Sequence, residues 1–122
     1  MKVNPFHAGG FTLVEIMIVV AIIGLLASIA IPNFVKARRT AQADACISNL
    51  RQIDSCVQQW ALETGQEASA APDSAAVALY IRTGGLPKCP VGGDYVFEPT
   101  IQATPCVKCP NEGTLPAHAM FQ

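Results

Sequence analysis

The chain has 122 residues, a formal net charge of −1, a hydrophobic fraction of 51% and five cysteines. That length holds one domain rather than two, and a near-neutral balance gives no support to nucleic-acid binding. With 14% charged residues and two histidines, and no nucleophile–base pair, phosphate loop or paired carboxylates in view, the sequence does not suggest an enzyme.

The first ten residues, MKVNPFHAGG, carry Lys2 and the initiator amine as their only full positive charges at neutral pH. Pro5, Gly9 and Gly10 disfavour a helix. Paired glycines leave the backbone open to a peptidase that binds an extended strand. His7 is read as incidental to this leader rather than as a ligand.

Next comes FTLVEIMIVVAIIGLLASIAI, Phe11 to Ile31, in which Glu15 is the one charge and Thr12 and Ser28 are the hydroxyls. As a helix rising about 1.5 Å per residue, the run covers about 30 Å, the thickness of a bilayer's hydrocarbon core. It begins after Gly9-Gly10 and meets Pro32, which has no amide hydrogen to donate. The run reads as a membrane helix. An ionised carboxylate there costs about 2.5–3.5 kcal/mol at mid-bilayer and less near an end. Glu15 therefore needs an interfacial position, where it can snorkel, or a partner. A cut before Phe11 would supply a partner: a free α-amino group at the start of the same helix. The rival is an ordinary signal peptide, with Phe11 to Ala30 as its h-region and cleavage near Ser28-Ile29-Ala30. That h-region is too long, and a glutamate within it is out of place.

Ala8-Gly9-Gly10-Phe11-Thr12-Leu13-Val14-Glu15, with the apolar run behind it, resembles the N-terminus of type IV prepilins and type II secretion pseudopilins. The resemblance runs from Gly9 to Arg39. It implies cleavage after Gly10 by prepilin peptidase and N-methylation of Phe11. It also implies that Glu15 pairs with the N-terminal amine of a neighbouring subunit during filament assembly. Gly24 and Pro32 fall where such pilins bracket a stretch of helix loosened in the filament. The implied partners are other copies of the chain, the peptidase and an inner-membrane assembly platform. The implied location is the cytoplasmic membrane, leader inside, and then a periplasmic or extracellular filament.

The flanking charges oppose that topology. Lys36, Arg38 and Arg39 outnumber the positive charges before the span, and the positive-inside rule alone would leave the C-terminal part in the cytoplasm. Five cysteines beside a membrane segment argue for export to an oxidising space. The motif is specific and a three-residue charge bias is not, so the domain is placed outside.

From Pro32 to Thr64 the sequence stays helical, with Pro32 able to kink the helix without ending it. Cys46, Leu50, Ile53, Val57 and Trp60 recur at steps of four, three, four and three, one apolar stripe on a helix. Arg51, Asp54, Gln58 and Glu63 read as its wet flanks, and Gly65 supplies a stop. The stripe is expected to dock the domain's own sheet. Beyond it, Gln66 to Pro72 reads as a loop, and Asp73 or Ser74 caps a short helix from about Ala75 to Arg82, ended by Gly84-Gly85. Asp94 to Glu98 alternates polar and apolar and is the strand candidate. Its expected partner is Ile101 to Ala103, across Pro99-Thr100. The proline-rich remainder reads as loop with room for one edge strand.

The odd number of cysteines leaves at least one outside any intramolecular disulfide. Cys46 and Cys56 cannot join each other within one helix, since ten residues of rise hold them about 15 Å apart and a disulfide tolerates about 7 Å between Cα atoms. The segment from Leu86 to Tyr95, followed by Pro105-Cys106, is similar to the C-terminal part of some short pilin-like proteins. That likeness implies a Cys89–Cys106 bond, closing a loop of about 16 residues worth about 3 kcal/mol. Cys46 is left as a core residue or a partner for Cys109, and Cys56 as the odd one out. Zinc is the competing use: Cys89, Cys106, Cys109 and His118 offer three sulfurs and a nitrogen, but with one C-x-x-C pair only. Redox use of Cys106 and Cys109 lacks a strand-to-helix setting. Calcium, which the family resemblance raises, finds no clustered acidic loop, because Asp94, Glu98 and Glu112 are scattered. The expectation is no metal and no cofactor.

The expected fold is α+β and pilin-like: a long N-terminal helix, half membrane and half amphipathic stem, against a small antiparallel sheet. Its parts are a leader (1–10), a membrane or filament-core helix (11–31), a stem (32–64) and a cysteine-containing head (65–122). The expected function is a structural filament subunit, of a type IV pilus or of a type II secretion pseudopilus. The short head and missing calcium loop lean towards the pilus. The alternative is an anchored domain that never polymerises and binds zinc or a redox partner through its cysteines.

Overall fold

The computed structural model describes residues 9–103, 105–114, 116 and 118–119. Most of the leader reading, residues 1–8 with Lys2 and His7, lies outside them. The elements are α1 (Leu13–Thr64), α2 (Ser74–Ala78), β1 (Val96–Phe97) and β2 (Val107–Lys108). The chain divides into two compact units between Lys36 and Ala37, a boundary that falls inside α1.

In the first unit Thr12 caps the helix: its Oγ1 accepts from the Glu15 amide at 3.2 Å, and its carbonyl accepts from the Ile16 amide at 3.4 Å. Thr12-x-x-Glu15 is the capping-box spacing. The helix then continues through Pro32. On either side of the donor that proline lacks, side chains bond to helix carbonyls: Ser28 Oγ to Leu25 at 2.7 Å and Asn33 Nδ2 to Ile29 at 3.2 Å. The large apolar side chains from Phe11 to Val35 are all exposed. This is the one segment of the described residues long and apolar enough to cross a membrane.

In the second unit the predicted stripe is the core. Cys46, Leu50, Ile53, Val57 and Trp60 are buried, joined on α1 by Ala43, Cys56 and Ala61. Val77, Ile81, Tyr95, Ile101 and Val107 pack in the same cluster. Burying each large apolar side chain contributes about 1.5–3 kcal/mol, which is why a four–three spacing holds one face inward. The helix ends after Thr64 because Gly65 turns left-handed (φ +65°), letting the Gln66 amide close on the Ala61 carbonyl at 2.9 Å.

The head departs from expectation in two places. α2 starts where foreseen, with Asp73 Oδ1 accepting from the Ala75 amide at 3.0 Å, but it stops at Ala78 and continues as tighter i→i+3 turns to Ile81. The strand near Val96 is shorter than Asp94 to Glu98, and its partner is β2, not Ile101 to Ala103. The pairs are antiparallel, Val96 with Lys108 and Phe97 with Val107. The ladder extends through the Glu98 amide to the Cys106 carbonyl at 2.9 Å, and Lys108 and Glu98 form an ion pair at 2.8 Å. Ile101 and Gln102 instead donate to the Ala70 and Ala68 carbonyls in the loop after α1. A turn at Pro99-Thr100 would have to reverse the chain at once. The longer excursion lets Ile101 bury itself and satisfy that loop as well.

Candidate functional site

Two features bear on function, one in each unit. In the first unit, Phe11 is 80% exposed just before the helix, and Glu15 occupies its first turn. A carboxylate there is favoured by the unpaired amides of the helix start. Among the described residues no cation lies in ion-pair range of Glu15. Gly24 lies in open surroundings and Pro32 sits mid-helix.

In the second unit α1, the loop before β1 and the segment after β2 converge on a buried cluster. Cys46, Cys89, Cys109 and His118 bring their ligand atoms within 4.8 Å of one another. Cys46 Sγ and Cys109 Sγ are 3.1 Å apart, Cys109 Sγ and Cys89 Sγ 3.5 Å, and Cys89 Sγ and His118 Nδ1 3.7 Å. Polar groups surround the sulfurs. The Tyr95 hydroxyl donates to Cys46 Sγ at 3.5 Å and itself accepts from Asn49 Nδ2 at 3.2 Å. Asn111 donates its amide to Cys109 Sγ and its Nδ2 to Cys89 Sγ, each at 3.4 Å. Burial pushes the Cys46 and Cys109 thiols up. At Cys89 burial acts the same way but is outweighed by hydrogen bonds, first from the Val91 amide and then from Asn111, and its thiol titrates below the ordinary value.

The expected Cys89–Cys106 disulfide is not formed. All five cysteines are described, and all are free thiols. Cys106 faces away from the cluster and donates its Sγ–H to Asp54 Oδ1 on α1 at 2.7 Å. Cys46 and Cys109 are neighbours, as one reading had it, but not bonded. Asp54, read as a wet flank, is the partner that holds Cys106. The residues that meet are not the zinc set expected from the sequence, because Cys46 stands where Cys106 was expected. Cys106 and Cys109 turn to different partners, so they form no redox pair. Cys56 lies apart from the cluster, its Sγ 3.6 Å from the Tyr80 carbonyl.

Asn111 is the residue sequence reasoning missed, while Cys46, expected as a core residue or a partner for Cys109, stands beside Cys109 in a cluster that also holds Cys89 and His118. One signal was present: Cys89-Pro90-Val91-Gly92-Gly93 and Cys109-Pro110-Asn111-Glu112-Gly113 share the pattern Cys-Pro-x-x-Gly.

Residues 6–31 match the family described as the prokaryotic N-terminal methylation motif. The chain is also similar to the type II secretion system core protein G of Escherichia coli, 34% identical over 103 residues, covering 72% of this chain and 70% of that one. The chain belongs to the type IV pilin and pseudopilin family. Core protein G of Vibrio cholerae is similar too, 30% identical over 72% of this chain and 68% of its own. The type IV major pilin protein PilA of Myxococcus xanthus is 49% identical over 55 residues, 43% of this chain, which spans a quarter of that pilin's length. No solved structure matches. These pilin-family relatives are named for pili and secretion machinery rather than for any catalysed reaction.

Proposed function

We propose that the chain is a structural subunit of a pilus-like filament, either a type IV pilus or a type II secretion pseudopilus. It is cut between Gly10 and Phe11 by prepilin peptidase and N-methylated on Phe11. The carrying observation is the apolar segment from Phe11 to Val35, whose large side chains are all exposed, in a chain of this family. So much apolar surface needs lipid or other copies of itself. Before assembly it lies in the cytoplasmic membrane, leader inside. In the filament it packs among like helices, delivered by the inner-membrane assembly platform. Glu15 pairs with the Phe11 amine of an adjacent subunit, and in a low-dielectric bundle that pairing sets register, because a slip strands both charges. Gly24 and Pro32 mark where the helix loosens on packing. The matches to core protein G cover 72% of the chain and so must reach past α1 into the head. Their reach favours the pseudopilus over the pilus.

Intact mass of the protein from its native membranes tests the reading. Loss of Met1 to Gly10 with one added methyl group is expected. A full-length chain, or one cut near Ala30, would remove the Phe11 amine and with it the assembly mechanism.

A further inference from the structure

The buried cluster in the second unit has properties that its neighbours' packing does not require. Three cysteines and a histidine from α1, the β1 loop and the C-terminal segment meet at one point, and all four are buried, His118 at 3% exposure. With zinc–sulfur bonds of about 2.3 Å, sulfurs in a tetrahedral site lie about 3.8 Å apart. The Sγ–Sγ separations of 3.1 and 3.5 Å would open by a few tenths of an ångström, the 3.7 Å to the imidazole is near the tetrahedral spacing, and the widest pairs, within 4.8 Å, would close by up to about 1 Å.

Two further observations point to a cation. Every sulfur of the cluster accepts a hydrogen bond: Cys46 from Tyr95, Cys109 from the Asn111 amide, and Cys89 from Asn111 Nδ2. Thiols are weak acceptors, whereas metal-bound thiolates are commonly held by such an outer shell. The two loop cysteines also sit in the same turn. Gly92 donates its amide to the Cys89 carbonyl at 2.9 Å and Glu112 donates to the Cys109 carbonyl at 3.2 Å. In the second turn the Asn111 amide, two residues after Cys109, points back at its sulfur at 3.4 Å. The turns interlock: a Cβ on Gly93 would meet Pro110 Cγ at 2.7 Å. Asn111 bridges them, its Nδ2 also donating to the Gly92 carbonyl at 2.7 Å.

We infer that Cys46, Cys89, Cys109 and His118 are the four ligands of a structural site for a thiophilic divalent cation, with zinc the ion that fits. The donor set of three thiolates and one imidazole is the Cys₃His set of closed zinc sites, and with all four positions filled by protein the site is structural rather than catalytic. Loading forms three metal–sulfur bonds and one metal–nitrogen bond and releases the thiol protons to water, with no change of oxidation state. Three thiolates and a dication leave one negative charge. Arg39 and His118 both line a recess of about 170 Å³, which gives the ion an entry path. The ion ties α1 to both loops, the role expected of a disulfide. This inference is independent of the filament reading.

The test uses the full chain in detergent, purified with a thiol reductant and loaded with zinc or cobalt(II). One ion per chain is expected, with the tetrahedral cobalt bands and sulfur-to-cobalt charge transfer of a thiolate site. Cys56→Ser and Cys106→Ser keep both signals. Cys46→Ser, Cys109→Ser and His118→Ala lose stoichiometric binding, and Asn111→Ala weakens it by about 10–100-fold. Chelation of the loaded wild type lowers its Tm, which guards against variants that simply misfold. Substoichiometric zinc in the reduced wild type would overturn the inference. So would equal loss in Cys106→Ser, or a Cys46–Cys109 disulfide in protein taken from native membranes.

Discussion

Cys106 and Asp54 join the C-terminal strand to the long helix by one short hydrogen bond, Sγ to Oδ1 at 2.7 Å, and the Cys106 amide donates to the same oxygen at 3.4 Å. The thiol is fully buried. Burial first, and the Asp54 carboxylate second, push its pKa up to about 12.

This linkage has a defined sign. The folded state holds the Cys106 proton more tightly than the unfolded chain, whose thiol titrates near 9.0. The stability it contributes is therefore complete below about pH 9 and is lost as pH rises towards 12. Urea midpoints of the full chain are expected to fall across that window in wild type and to fall less in Cys106→Ala. Equal slopes would show that Cys106 is not the titrating group. Asp54→Ala leaves the buried thiol without its acceptor and is expected to cost about 1–3 kcal/mol at neutral pH.

Gly93 is the position where the two Cys-Pro turns touch. Its φ of +92° and the 2.7 Å approach to Pro110 exclude a side chain on two separate grounds. Gly93→Ala is expected to destabilise the head by about 1–3 kcal/mol, and Gly113→Ala, with open space around it, by much less. Chemical denaturation of the pair measures the difference; similar losses would mean that the turns are not interlocked.

The stripe carries the core. Ile53 is fully buried and Leu62 is 84% exposed on the same helix. Ile53→Ala is expected to cost about 2–5 kcal/mol, while Leu62→Ala stays within about 0.5 kcal/mol. Thermal unfolding of both variants checks the assignment, and a large loss at Leu62 would indicate that a partner covers that face.

Glu15→Ala leaves the cleavage site intact and removes the carboxylate proposed to meet a neighbour's amine. Processing should be unchanged by mass. Assembly should fall by about tenfold or more, since an unpaired charge in an apolar bundle costs several kcal/mol. Sheared-filament yield measures it, and wild-type yield would sink the pairing.

Local pattern settled much of this protein. The apolar run, the four–three stripe, the Gly65 stop and the Asp73 cap are each written within a few turns of chain, where rise per residue and backbone sterics leave little choice. The family was legible in the eight residues from Ala8 to Glu15. Tertiary structure decided which cysteines meet and which strands pair. Cys46 and Cys109 are 63 residues apart in sequence, and β1 finds β2 beyond a loop that looked like its partner. Both outcomes depend on how the chain returns to one face of α1. Burial of Ile101 and Val107 sets that return, and no periodicity encodes it. Placing Cys106 over Asp54 turned its sulfur away from Cys89, and the same packing carried Cys46 into the cluster.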